Sequence, residues 1–508
     1  MFYYAVYTEG FKGIVNTWEE CKKYVVGCKN AKYKKFKTEN EASTYMVDQE
    51  TLELPIKKMI LENKSKDRLS ILSEAVFENK ENVFLNGIAG SGKSYLLKQL
   101  YDEAVKRGIN SVLTSTTGVS SFNIGGCTIH SFTGIVLPTQ MPKDPEEYIS
   151  RIVARIKFKR YLLKKWQNLK ILFIDEVSML GANYIDVINE VAKRVRGASS
   201  PFGGIQVITS GDFLQLPPVN DSFCFESPCW DELRFKNYVL TKAYRFTEQK
   251  WNDILQRARV GNLTKEDMEV LKGCVNKKNN SDIQPTVIYS LRRDVDEINK
   301  VALDDLPAEF ISFIGEDTLG EEEKNESVSI IRHCSEEQSK ILDSTLNIGR
   351  NIKLKVGAQV MLVANLDVAT GLVNGSRGII MKITDEGAIV KFKGKEYEFE
   401  YPVGPYSFKI ENGGEYYVRK ILPLIPAYAS TVHKMQGLTI DCGIINCGSS
   451  IFSPGQAYVA LSRVRSLDGL FLEQISQSKI YPNKLALSFE EKMRKKAVFI
   501  DREINDEE

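Results

Sequence analysis

Asn82-Val83-Phe84-Leu85-Asn86-Gly87-Ile88-Ala89-Gly90-Ser91-Gly92-Lys93-Ser94-Tyr95-Leu96-Leu97 is the stretch that decides the fold. A short apolar run stops at a glycine-rich turn, and Tyr95 to Leu100 continues as a helical pattern. The turn matches GxxxxGK[ST], a loop whose backbone N–H groups wrap phosphate oxygens. In that arrangement Lys93 offers a point charge to the outer phosphates and the Ser94 hydroxyl can ligate Mg²⁺. Gly87, Gly90, Ser91, Gly92, Lys93 and Ser94 are therefore the candidate phosphate-binding residues. Strand, turn and helix in this order form one unit of a parallel sheet.

The same alternation extends on both sides, from about Asp67 to Asp221. Ser111-Val112-Leu113-Thr114, Ile171-Leu172-Phe173-Ile174 and Ile205-Gln206-Val207-Ile208-Thr209 are continuous apolar runs separated by helical stretches. Strands of that kind are covered on both faces. The run from Ile171 ends in Asp175-Glu176, at the sheet edge where one carboxylate must hold Mg²⁺ and another must activate water. The run from Ile205 leads into Gly211-Asp212-Phe213-Leu214-Gln215-Leu216-Pro217-Pro218, either a proline-stiffened turn or a loop that aims Gln215 at a γ-phosphate or the attacking water. A second set of strands at Thr286 to Tyr289 and Cys442 to Ile445 indicates a second α/β domain split by an insertion. Alternation in Ile389 to Phe392 and Tyr397 to Tyr401, with turns at Lys393-Gly394 and Asn412-Gly413-Gly414, predicts a small antiparallel barrel inside it. Glu321-Glu322-Glu323 reads as a solvated loop.

At 508 residues the chain is long enough for three or four folded units of about 100 to 200 residues each. Hydrophobic residues at 43% and charged residues at 26% are ordinary for a globular protein, and no apolar run approaches the roughly 20 residues that span a bilayer. No membrane is expected as a partner. A net charge of +2 carries no information about a polyanionic partner. Nine scattered cysteines without CxxC spacing, beside three histidines, read as free thiols in a reducing compartment, and the first residues lack a signal-peptide pattern. An intracellular protein is expected.

Asp175-Glu176-Val177-Ser178-Met179-Leu180, Phe202-Gly203-Gly204-Ile205-Gln206 and Gly211 to Pro218 together resemble the superfamily 1 (B branch) DNA helicases of the Pif and RecD-like type. The resemblance covers most of the chain after about Asn82. Ser115-Thr116-Thr117-Gly118 and Cys127 to Phe132 are similar to the family's early strand-binding motifs, and Leu240 to Arg245 to the segment bearing an arginine that reaches the nucleotide. Gly357 to Leu362 and Val373-Asn374-Gly375 resemble the segments leading into the inserted barrel. Ala429 to Gly437 and Tyr458 to Arg465 complete the set. The resemblance implies ATP and Mg²⁺ as cofactors, 5'-to-3' movement on single-stranded DNA, and action on tailed duplexes. It makes Lys93, Glu176, Gln215, Arg245 and Arg463 the catalytic residues, since positive charge must reach the γ-phosphate from the second domain. It adds Gly437 to the nucleotide site, Asp175 with Ser94 as metal ligands, and Thr116, His130, Thr431, His433 and Lys434 as strand contacts. Isolated, either histidine would read as a core residue. Asp67 to Ser73 offers no glutamine to read the adenine, so the resemblance does not extend to base selection.

Arg151, Arg155, Lys157, Lys159, Arg160, Lys164 and Lys165 fall where the family inserts its strand-separating element, and read equally as a solvated helix face. Tyr3-Tyr4-Ala5-Val6, Thr17 to Cys21 and Ala31 to Phe36 carry a second resemblance, to the hybrid-binding domain of ribonuclease H found also in viroplasmin proteins. It implies that Trp18, Tyr33, Lys34 and Lys35 grip an RNA/DNA hybrid, although the aromatics could instead form a mini-core. Thr17 is the expected N-cap of a helix there. The expected fold is thus α/β: two RecA-like parallel-sheet domains, an inserted SH3-like β-barrel and a small N-terminal α+β domain. The expected boundaries are a hybrid-binding domain at 1–48 and a linker at 49–66. A first RecA-like domain spans 67–235 with the strand-separating insertion at about 116–165, a second spans 236–305 and 425–508, and the SH3-like insertion is 306–424. Nothing in the sequence calls for an oligomer. A translocase or annealer that does not unwind, and a hybrid-binding protein without ATPase activity, are the competing readings.

Overall fold

A computed structural model describes residues 3–7, 12–25, 32–36, 38, 42, 67–135, 144–246, 248–278, 284–289, 292–322, 328–346, 348–367, 370, 372–393, 398–412, 415–432, 435 and 437–501. The expected linker at 49–66, the turns at Lys393-Gly394 and Asn412-Gly413-Gly414 beyond Lys393 and Asn412, and His433 and Lys434 lie outside them. The chain divides into two compact units, 1–71 with 498–508 and 72–497.

In the smaller unit β1 (Tyr3–Tyr7) pairs antiparallel with β2 (Lys12–Val15) and β3 (Lys32–Phe36), and α1 (Trp18–Val25) packs on one face. The Thr17 hydroxyl accepts the Glu20 N–H at 3.2 Å, as an N-cap should. Val6, Val15 and Cys21 form its apolar centre.

The larger unit is built on a parallel sheet. Its strands run in the order β9-β4-β8-β7-β5-β6, where β4 is Val83–Gly87, β5 Ser111–Ser115, β6 Cys127–Thr128, β7 Ile171–Asp175, β8 Gln206–Gly211 and β9 Lys236–Leu240. Every residue of β4 and β7 is buried, which is why these strands read as unbroken apolar runs. The covering helices include α2 (Lys93–Lys106), α3 (Gly118–Asn123), α4 (Ile129–Thr133), α5 (Pro145–Phe158), α6 (Arg160–Asn168) and α7 (Ala182–Arg196). A second parallel sheet runs Ala429–Thr431, Thr286–Tyr289, Gly443–Cys447, Leu470–Ile475. Its core takes in Trp251, Ile254, Leu255 and Ala258 of α8 (Gln249–Arg259) and Ala457, Tyr458, Val459, Ala460 and Leu461 of the helix α9 (Gln456–Leu461).

Three expectations change. The strand Lys236–Leu240, expected to open the second domain, is paired along its length with β4 in the first sheet. The helix α10 (Lys484–Arg494), expected in the second domain, returns to the first core: the Phe489 ring stacks on Phe225 at 4.1 Å and meets Phe213 at 5.4 Å. Among the described residues, the region expected to form one barrel forms three antiparallel sheets around a common core, the smallest being the pair Ile311–Ile314 and Asn351–Leu354. Gly387–Lys393 pairs with its neighbours Arg377–Thr384 and Glu398–Val403, whereas Tyr406–Asn412 and Glu415–Ile421 pair with each other and, through the latter, with the distant strand Glu316–Glu322. A buried fork fixes that second sheet, since Arg419 reaches both carboxylate oxygens of Asp317 at 2.7 Å. Glu321 and Glu322, expected in a loop, are consequently ladder residues opposite Ser329 and Val328. Among the described residues no helix is long and apolar enough to cross a membrane.

Candidate active site

β4 delivers the chain to the phosphate loop, and the loop bends at Gly90 and Gly92, with φ of +76° and +89°. Gly90 is constrained twice, because a Cβ there would lie 2.5 Å from the Cβ of Arg245. α2 begins at Lys93, so its free N–H groups and positive dipole end face the loop. Lys93 is buried, and its ammonium donates to the carbonyls of Gly87 at 2.8 Å and Ile88 at 3.1 Å. Burial lowers its pKa, against the pull of Asp212, Glu176 and Asp175, which favour the charged form. Ser91 is buried and Ser94 half-buried in the first turn of α2.

Asp175 ends β7 with 1% of its surface exposed. Its carboxylate accepts from the hydroxyls of Ser210 and of Ser120, the latter at 3.3 Å. Glu176 follows in the left-handed region, at φ +52° and ψ +44°. A non-glycine residue held there costs on the order of 1–3 kcal/mol, a strain typical of sites where a side chain must be aimed. Thr116, expected as a strand contact, donates its hydroxyl to the Glu176 carbonyl at 2.9 Å and its N–H to the Asp175 carbonyl at 3.3 Å. It thus ties the strand-binding segment to the carboxylates. Gln215 is buried, with its amide nitrogen 3.3 Å from the carboxylate of Asp212.

The two arginines approach from the other side. The Tyr244 N–H donates to the Gly90 carbonyl at 2.8 Å, fastening the Arg245 segment to the loop, and Arg245 Nη1 reaches the Ser462 carbonyl at 3.3 Å. Burial first, and then Arg463, push the Arg245 pKa down to about 9, while Glu176 opposes the shift. Arg463, 2% exposed, spends its donors on the carbonyls of Val459 at 2.9 Å and Leu438 at 3.3 Å and on the Ser462 hydroxyl at 2.7 Å. Burial lowers its pKa, with Glu176 again opposing. Tyr458, one turn earlier on α9, accepts the Ala89 N–H at 3.0 Å, so the second core also touches the loop.

The structure therefore brings Lys93, Asp175, Glu176, Arg245 and Arg463 into one electrostatic cluster, with Gln215 behind it. Gly437 does not join it. Its φ is +79°, and among the described residues only Asn123 Nδ2, at 3.9 Å, lies within 4 Å of where its Cβ would be. Arg463 itself holds the carbonyl of the neighbouring Leu438 at 3.3 Å. Of the expected strand contacts, Thr431 is buried at a strand end, and His130 is exposed on one side and stacked on Tyr184 at 4.4 Å on the other. The basic stretch forms the outer faces of α5 and α6. Ile149, Ile152, Val153, Ile156 and Trp166 are buried beneath, Arg151 pairs with Glu147, Arg155 caps the Gly134 carbonyl, and Lys165 lies over Phe132. Between Lys157 and Lys159, at the end of α5, Phe158 stands 88% exposed.

In the smaller unit, Trp18 and Tyr33 lie 5.4 Å apart, Trp18 and Tyr4 5.8 Å apart, and Lys35 covers the Tyr4 ring. Lys34 is not part of this face. Tyr4 pairs with Lys35 and Val6 with Tyr33, and alternation along the strand sends Lys34 to the opposite side, beside Ala5 and Phe36.

Asp212, Tyr458, Ser120 and Ser210 were missed as functional residues. The first two lie inside stretches that the sequence reading singled out, but nothing local marks them.

Two parallel-sheet domains, with a phosphate loop on the first and arginines reaching it from the second, define a two-domain nucleotide-driven motor of the RecA-like kind. A helicase family model described as PIF1-like matches residues 60–281, one described as the DNA helicase Pif1 2B domain matches 345–383, and the ribonuclease H1 N-terminal domain matches 2–46. The chain is 35% identical over 465 residues to the ATP-dependent DNA helicase PIF1 of Xenopus laevis, covering 89% of this chain and 68% of that one. With the zebrafish protein of the same name it shares 34% over 459 residues, covering 87% and 66%, so it spans about two thirds of the length of these relatives. A crystal structure of a Bacteroides Pif1 helicase with ADP-AlF3 and ssDNA superposes with a TM-score of 0.58 at 28% identity, covering 84% of this chain and 97% of that one. The protein belongs to the PIF1-like helicase family.

Proposed function

We propose that the protein is an ATP-dependent DNA helicase that moves 5'-to-3' on single-stranded DNA and opens tailed duplexes or RNA/DNA hybrids. The observation that carries the reading is the meeting of Lys93, Asp175 and Glu176 with Arg245 and Arg463, which belong to different halves of the chain. Such a cluster reaches full strength only when the halves are closed, so nucleotide binding and hydrolysis become linked to domain movement. A strand gripped by both halves then steps with each cycle. The ssDNA in the Bacteroides structure supports a single strand as the track.

The donors around Asp175 suit a hard divalent cation. They are oxygens only, and hydroxyls fix the carboxylate's orientation. Asp175 and Ser94 would hold Mg²⁺, which supplies charge neutralisation at the phosphates, while Glu176 takes the proton of the attacking water and Gln215 orients that water. Among the described residues no cluster of three or more metal-binding side chains occurs, in keeping with an ion held partly by the nucleotide. Phe158, raised between two lysines, is the side chain best suited to part the strands. Trp18, Tyr33 and Lys35 form a face that stacks and neutralises a hybrid backbone without reading sequence. A DNA track implies action inside the cell.

Strand displacement with ATP and Mg²⁺ tests the proposal on a 5'-tailed DNA duplex, a 3'-tailed one and a 5'-tailed RNA/DNA hybrid, with Lys93→Ala as control. Opening of only the 5'-tailed substrates, lost in Lys93→Ala, is the expected result. Strand-stimulated ATP hydrolysis without opening of any substrate would make the protein a translocase.

A further inference from the structure

Arg259, the last residue of α8, is 3% exposed and shared between two carboxylates. Its Nε and Nη2 reach Asp212 at 3.0 and 2.8 Å, and its Nη1 and Nη2 reach Glu490 of α10 at 2.8 and 2.5 Å. Asp212, fully buried, in turn organises the turn that carries Gln215. Its carboxylate accepts the Leu214 N–H at 3.1 Å and the Gln215 side-chain amide at 3.3 Å, and its carbonyl accepts the Gln215 N–H at 3.0 Å. From the other side Gly455, at φ +75°, lies so close that a Cβ there would be 2.5 Å from the Gln215 carbonyl oxygen.

We infer that Arg259 is the positioning residue for Gln215: by gripping Asp212 it fixes the direction in which the glutamine amide points. The inference rests on the reading of Gln215 as the residue that orients the attacking water. A carboxylate buried without a cation would take up a proton, and one of its oxygens would then donate where both now accept. Arg259 prevents this and holds the Asp212 carboxyl below the usual range. The grip also crosses domains. α8 is packed in the second core with Trp251 and Leu255, whereas Asp212 follows the first-sheet strand β8 and Glu490 lies on the helix that returns to the first core. Movement of the second domain therefore reaches the Gln215 side-chain amide through the Arg259 guanidinium, beside the backbone contact at Gly455. Lysine cannot replace it, because two carboxylates are served by one planar fork of donors.

The test is a double-mutant cycle on the full chain, reading kcat and KM for ATP hydrolysis with saturating oligo(dT) and Mg²⁺ in wild type, Arg259→Lys, Gln215→Ala and the double variant. Arg259→Lys is expected to lower kcat by about 100-fold, the scale of a 1 Å misplacement, with the KM for ATP within about 3-fold of wild type. In the Gln215→Ala background the same change is expected to lower kcat by less than about 3-fold, because the group it aims is gone. Losses that multiply in full, or a wild-type kcat in Arg259→Lys, would overturn the inference. A wild-type kcat in Gln215→Ala would instead overturn the reading of Gln215 on which it rests. Should Arg259→Lys fail to fold, Asp212→Asn keeps the side chain's shape, removes the charge that Arg259 grips, and enters the same cycle with the same outcomes.

Discussion

Replacing Arg245 by methionine should make the nucleotide-free protein more stable while abolishing its ATPase. The guanidinium has one hydrogen bond of 3.3 Å, to the Ser462 carbonyl, and faces the cation Arg463, with Glu176 as partial compensation. Burial first, and then Arg463, pull its pKa from the ordinary arginine range down to about 9, and at about 1.36 kcal/mol for each tenfold in acidity the charged form is disfavoured by at most ~5 kcal/mol. Arg245 keeps part of its surface, so solvent screening reduces the recoverable gain to about 1–2 kcal/mol. The sign follows from the protonation states. At neutral pH the arginine is charged both folded and unfolded, so the penalty is fully present, and it is relieved only as the pH rises above about 9. Thermal unfolding of wild type and Arg245→Met, each with and without ADP-AlF4, reads the effect. The variant should melt at least ~2 °C higher without nucleotide and gain less from the nucleotide analogue, since the phosphates are what the buried charge awaits. Its kcat should fall by about 10³-fold or more. A nucleotide-free Arg245→Met that melts below wild type, or one that keeps its ATPase, would refute the argument that this charge is stored for the nucleotide.

Gly90→Ala should weaken binding of a fluorescent ATP analogue by at least ~10-fold in equilibrium titrations, because a left-handed alanine costs roughly 1–2 kcal/mol before the 2.5 Å approach to Arg245 is relieved. Phe158→Ala should lower the strand-displacement rate by about 10-fold while leaving DNA-stimulated ATP hydrolysis within ~2-fold, the loss being that of one base-stacking contact of about 1–3 kcal/mol. In the smaller unit, Trp18→Ala should weaken RNA/DNA hybrid binding in fluorescence anisotropy by at least ~5-fold, whereas Lys34→Ala, on the opposite face, should change it by less than about 2-fold.

What could be read from the sequence is what is written in short consecutive stretches. The phosphate loop is one, since glycines at fixed offsets between an apolar strand and a helix leave few other conformations, and Asp175-Glu176 is another, because a fully buried strand must emerge at the sheet edge. Elements whose partners are distant in the chain were assigned by proximity, and there the expectation failed. Lys236–Leu240 is apolar enough to begin any sheet, and only its pairing with Val83–Gly87 reveals which one. Tyr406–Asn412 and Glu415–Ile421 follow a three-stranded meander yet leave it for Glu316–Glu322, because the buried Arg419 must meet Asp317.

The same distinction separates the catalytic residues from those that hold them. Lys93, Asp175 and Gln215 each sit in a recognisable local frame. Arg259 and Glu490 sit at the ends and middles of ordinary amphipathic helices, where a charged residue is nearly always solvated. Both are buried here because each meets its counter-charge, 2.5 Å apart, across 231 positions of chain. Removing one partner from a buried pair of this kind costs about 3–5 kcal/mol, because it strands the other charge. The Arg259–Asp212–Glu490 contact therefore ties α8 of the second core to the turn that carries Gln215, so displacement of that core is felt at the glutamine.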